Sequence, residues 1–124
     1  NPKAKAFIIL INFRKMIVKG AEMVDLTVDE WTQEEFLRNK KELEALGVKV
    51  LLIDTILNPI DGAETTLYAP PILKNEPEGS VFVFYCDSGK SSKERLKEFR
   101  AKFPKQVCIS LRGGRGYWRK NFRI

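Results

Sequence analysis

Val81-Phe82-Val83-Phe84-Tyr85-Cys86-Asp87-Ser88-Gly89-Lys90-Ser91-Ser92 is the stretch on which the reading of this chain turns. Its first five residues are all apolar and either aromatic or β-branched, the pattern of a strand buried on both faces, as in a parallel sheet. Cys86 stands at the C-terminal end of that strand, and a short polar turn follows. From Ser91 to Phe103, Leu96, Phe99 and Phe103 recur at i, i+3 and i+7 among Lys, Glu and Arg, which predicts an amphipathic helix that Pro104 ends.

Outward from this core the same alternation continues. Gln106 to Leu111 reads as another apolar strand, and Gly113-Gly114 turns the chain into a short segment around Trp118. Upstream, Val48 to Asp54 (Val-Lys-Val-Leu-Leu-Ile-Asp) is a further strand of the doubly buried kind. Thr27 with Glu30, and Thr32 with Glu35, both have capping-box spacing, so helical structure is expected to open there and run to about Leu46. Trp31, Phe36, Leu43 and Leu46 would face the core, with Gly47 as the stop. Residues 55–79 contain Pro59, Gly62, Pro70, Pro71, Pro77 and Gly79 and read as a long loop with a short turn of structure. Phe7 to Phe13 and Met16 to Val18 are expected as strands.

Strands separated by helices imply right-handed crossovers, so the predicted class is α/β: a central, mostly parallel sheet with helices on both faces. The expected organisation is one domain over 1–124, with residues 1–23 as an N-terminal extension. Ligands in such folds sit beyond the C-terminal ends of strands, where Cys86 and its loop lie.

Composition narrows the chemistry. The chain has 124 residues, 44% hydrophobic and 31% charged, the balance of an ordinary soluble globular domain. It contains no His, so imidazole catalysis is excluded, and its two Cys are too few for a disulfide scaffold and lack metal-site spacing. No metal or cofactor is expected. The apolar run Ala6 to Ile11 is far short of the roughly 20 residues a membrane span needs. The cytoplasm is the favoured compartment; because the chain opens on Asn1-Pro2 rather than Met, the periplasm is the alternative if a signal peptide has been removed. Residues 90–124 hold 12 Lys/Arg against two Asp/Glu, a net +10, whereas residues 1–89 hold 10 against 14, a net −4. Such asymmetry points to an anionic partner.

A turn that leads from a strand directly into a helix points several backbone N–H groups at one centre, and the helix terminus adds partial positive charge. A thiol at the edge of that centre has its thiolate stabilised. Cys86 is therefore the candidate nucleophile, with Asp87, Ser88, Gly89, Lys90, Ser91 and Ser92 as the candidate substrate-binding loop. Gly89 supplies a positive φ, Lys90 a cation and the serines hydroxyl donors. Cys108, mid-strand between Val107 and Ile109, reads as core.

Other chemistries fit less well. Gly89-Lys90-Ser91 could end a phosphate-binding Walker motif, but the Gly required five positions before Gly89 is Phe84. A Cys-x5-Arg phosphatase loop would need Arg where Ser92 stands. Arg112 to Lys120 could serve as an RGG-like RNA-binding tail, although its Gly-Gly and Trp also suit a packed turn. Nucleic acid is the less favoured partner. Asp54, Asp61 and Glu64 in a Pro/Gly loop read as turn formers rather than an acidic cluster.

Three segments resemble the rhodanese family. Cys86-Asp87-Ser88-Gly89-Lys90-Ser91-Ser92 is similar to its six-residue active loop, which begins with Cys and often has Gly fourth. Leu111-Arg112-Gly113-Gly114, with Trp118 four residues on, is similar to its Leu-x-Gly-Gly turn and following Trp; Leu26 to Trp31 followed by Val50 to Asp54 looks like its first helix and the strand ending in Asp. The resemblance is specific over 81–118 and loose over 24–80. Its departures are Asp87, where the family is often basic or aromatic, and Thr55-Ile56, where it usually carries Arg. It implies a thiosulfate sulfurtransferase: Cys86 takes a sulfane sulfur as a persulfide and passes it to cyanide, a thiol or a protein acceptor. The alternatives it leaves are a sulfur-carrier module and a noncatalytic interaction domain.

Overall fold

The structure, a computed structural model, describes residues 15–16 and 24–122. The expected strand Phe7 to Phe13 lies outside the described residues. Strand β1 (Lys15–Met16) pairs antiparallel with β2 (Val24–Asp25), apart from the main sheet. Residues 17 and 18 of the expected second strand again lie outside the described residues.

Among the described residues the main sheet has five strands, all parallel: β3 (Glu30–Trp31), β4 (Val50–Asp54), β5 (Thr66–Leu67), β6 (Val81–Tyr85) and β7 (Val107–Leu111), in the spatial order β3-β7-β6-β4-β5. An α/β architecture with a parallel sheet is therefore what the chain forms. The three central strands are the three apolar runs; the two edges are only two residues long, which limits the unpaired backbone they expose.

The pleat sorts the core into two layers. Val81, Val83 and Tyr85 of β6 and Val107, Ile109 and Leu111 of β7 pack with Phe36, Leu43 and Leu46, from helix α1 (Gln33–Ala45) and its C-cap. The intervening Phe82, Phe84 and Cys108 face Leu73 of helix α2 (Pro70–Leu73) and a second helical segment with Leu96, Phe99 and Phe103. There Phe84 stacks on Phe99 at a ring separation of 3.9 Å, and Phe82 meets Phe103 edge-on at 5.4 Å.

Two expectations are corrected. Thr27 opens no helix: Glu30-Trp31 instead pairs with Ser110-Leu111 of β7, and Asp25 accepts the Thr27 N–H. Pairing at the sheet edge outweighs the local capping signal. Thr32 does form the full box, accepting from Glu35 N–H while the Glu35 carboxylate accepts from Thr32 N–H, and Trp31 is core from a strand rather than a helix. The helix expected over 91–103 is two segments, α3 (Lys90–Glu94) and α4 (Leu96–Lys102), separated by Arg95 at φ −88°, ψ 1°. No Gly or Pro marks this break. It keeps Ser92 beside Cys86 while Leu96 and Phe99 lie on the sheet, and the Arg95 guanidinium covers the Phe99 ring at 4.7 Å and pairs with Glu98.

Candidate active site

Where β6 ends, the backbone reverses and wraps around the Cys86 sulfur. Gly89 N–H donates to Sγ at 3.2 Å and Ser92 N–H at 3.3 Å, and the thiol lies 3.4 Å from Ser92 Oγ. Cys86 is 4% exposed. Burial is the largest influence on the thiol and pushes its pKa up; the Ser92 hydroxyl, then the N–H groups of Ser92, Gly89 and Ser88, act against it and hold the pKa below its ordinary value. The site thus stabilises a thiolate by hydrogen bonds from its own loop.

Gly89, in the left-handed region at φ +88°, closes the loop. It also permits a close backbone approach: a Cβ there would fall 2.7 Å from Gly113 N and 2.9 Å from Leu111 O. Opposite it, Gly114 meets the loop so tightly that a Cβ would collide with the Cys86 carbonyl oxygen and lie 2.8 Å from Gly89 N. The two loops are then bonded together, Arg115 N–H to Cys86 O and Gly116 N–H to Asp87 O, both at 2.8 Å. The Gly-Gly turn after β7 is therefore the wall against which the cysteine loop is moulded, and Trp118 anchors it by packing on Phe36 at 6.1 Å.

Of the candidate binding residues, Gly89 and Ser92 are buried around the sulfur, whereas Asp87, Ser88, Lys90 and Ser91 are exposed on the loop. Asp54 is buried and accepts the N–H groups of Ile56 and Asn58, both at 2.8 Å, so it shapes the turn after β4. Asp61 and Glu64 are not buried, and no cluster of three or more metal-ligating His, Cys, Asp or Glu occurs among the described residues. Neither cysteine forms a disulfide, and Cys108 is buried in the second core layer. No helix among the described residues is long and apolar enough to cross a membrane.

One participant escaped sequence reasoning. Ser110 of β7, fully buried, lies with its Oγ 2.6 Å from Ser92 Oγ. The available signal was a hydroxyl inside the apolar run Val107-Cys108-Ile109-Ser110-Leu111.

The chain matches no protein-family model, no curated protein and no solved structure.

Proposed function

We propose that this protein is a sulfurtransferase in which Cys86 carries sulfur as a persulfide, as its resemblance to rhodaneses over residues 81–118 implies. One observation carries the reading: the Cys86 sulfur accepts two backbone N–H groups, from Gly89 and Ser92, in a loop that opens into a helix. The thiolate attacks the outer sulfur of a sulfane donor such as thiosulfate; a Cys86 S–S bond forms and sulfite leaves with the bonding pair. A thiol or cyanide then attacks the outer persulfide sulfur, takes it, and restores the thiolate. Backbone donors that already point at the sulfur favour its anionic forms without rearrangement. Lys90, exposed on the loop, supplies a cation for an anionic donor, and the neighbouring Asp87 opposes it.

Delivery to a protein acceptor is a second reading, favoured by two exposed apolar side chains on segments bonded to the end of β6. Leu57 is 79% exposed on the turn whose Thr55 N–H bonds Tyr85 O, and Tyr117 is 80% exposed beyond the Arg115 that bonds Cys86 O.

Incubation with thiosulfate followed by intact-mass measurement tests the proposal. The wild type is expected to gain one sulfur atom and Cys86→Ser none; no adduct with any sulfane donor overturns both readings. A persulfide that forms but is removed slowly by cyanide and small thiols selects the protein acceptor.

A further inference from the structure

A fully buried hydroxyl on a strand costs free energy unless it is bonded, and the face of the sheet that carries Ser110 is otherwise apolar, with Phe82, Phe84 and Cys108. Ser110 sits in register with Phe84, two residues before Cys86. Its Oγ meets Ser92 Oγ at 2.6 Å, and Ser92 Oγ in turn lies 3.4 Å from both the Cys86 sulfur and the Gly89 carbonyl oxygen. Ser92 thus has one hydrogen and three directions in which to donate it: to Gly89 O, to Ser110 or to sulfur.

We infer that Ser110 is a positioning residue which, by donating its own hydrogen to Ser92 Oγ, leaves the Ser92 hydrogen free to serve the Cys86 sulfur. The inference rests on reading Cys86 as a reactive thiolate, but not on any particular sulfur donor. In the thiol state Cys86 S–H donates to Ser92 Oγ and the Ser92 hydrogen points to Gly89 O. When the thiol proton leaves to solvent, the Ser92 O–H rotates from Gly89 O to the sulfur, where a bond to an anion is stronger than one to a neutral carbonyl. Ser110 donates to Ser92 Oγ in both states, so no proton passes between the serines. Its bond also holds the Ser92 rotamer and polarises the Ser92 O–H toward the sulfur. The charged groups around this loop are Asp87 and Lys90 on it, Lys93 next to Ser92 in α3, Glu30 of β3, which stands in register with Ser110 and pairs with both Lys93 and Arg112, and Arg115 on the facing turn; none of them, nor Tyr85, is altered by changes at Ser92 or Ser110.

The test is the pH profile of Cys86 alkylation by iodoacetamide, read on the Cys86 peptide so that Cys108 does not contribute. Ser92→Ala is expected to move the profile to higher pH. Ser110→Ala should move it the same way by less, with ~3-fold slower alkylation near neutrality, the size of one modest hydrogen bond. The double variant should go no further than Ser92→Ala alone, because Ser110 acts only through Ser92. Ser110→Thr, which keeps a hydroxyl, should stay at the wild-type profile and guards against an effect of altered packing. An unchanged profile in Ser110→Ala, additive shifts in the double variant, or a Thr variant displaced as far as the Ala variant would each overturn the inference. Thiol titration needs no sulfur transfer, so a failure here is distinct from an absent thiosulfate adduct.

Discussion

The Cys86 thiol is buried, yet its pKa lies below the ordinary value because donors converge on the sulfur. That has a consequence for stability. A thiol whose folded pKa lies below its unfolded value, ~8.5, releases its proton earlier in the folded state, so stability rises with pH between the two values and is flat above. The contribution is fully present above the unfolded pKa and is lost as pH falls through the folded one. Urea midpoints of wild type and Cys86→Ala, compared from pH 6 to 9.5, should therefore diverge in favour of the wild type as pH rises. A constant or shrinking difference would show that the folded thiol is not depressed. At this scale the sequence was informative because the donors to Cys86 come from the residues immediately after it: a turn of six residues can fold back only onto its own start. Ser110, 18 positions beyond Ser92, could not be paired with it from spacing.

The decisive contact between elements is backbone against backbone. The loop after β6 and the turn after β7 approach closely enough that Gly89 and Gly114 leave no room for a Cβ. Gly114→Ala must therefore separate the two turns or unfold them, and its φ of +58° adds strain for any side chain. The expected cost is about 2 kcal/mol or more, read from urea denaturation, together with weaker protection of the Arg115 amide in hydrogen exchange, since that N–H is bonded to Cys86 O. Wild-type stability and exchange in this variant would refute the moulding of one loop on the other. The Gly-Gly turn itself was legible in sequence, but its purpose was not. Thr27 and Thr32 make the same point: two equal capping signals, of which only the second opens a helix, because the residues after the first are claimed by β7. The break at Arg95 likewise has no local cause, and it separates the segment that serves Cys86 from the segment that packs on the sheet.

Across the whole molecule the sheet is a partition. One core layer lies under α1, the other under α2 and α4, and the two cysteines are placed differently with respect to them: Cys108 within the second layer, Cys86 just past the end of β6. Both are nearly inaccessible, but the route to each differs. Reaching Cys108 requires stripping Phe82, Phe103 and their neighbours from the sheet, which is global unfolding; reaching Cys86 requires only motion of its loop. Peptide-resolved alkylation should therefore modify Cys86 at least ~10-fold faster than Cys108, and urea below the unfolding transition should accelerate Cys108 with the slope of global unfolding. Equal rates would place both thiols behind the same opening.

The sequence by itself determined the three central strands, a helix that stops at Gly47 but not which of two capping boxes opens it, and the cysteine loop at a strand end. Each depends on periodicity or on neighbours along the chain, and contiguous apolar residues have few ways to be buried. Only the tertiary structure decided the sheet order, the edge strands Glu30–Trp31 and Thr66–Leu67, the divided helix, and the use of Gly114 and Ser110 around Cys86. A two-residue strand has no period to read, and a close approach or a buried hydroxyl pair exists only once distant segments lie opposite one another.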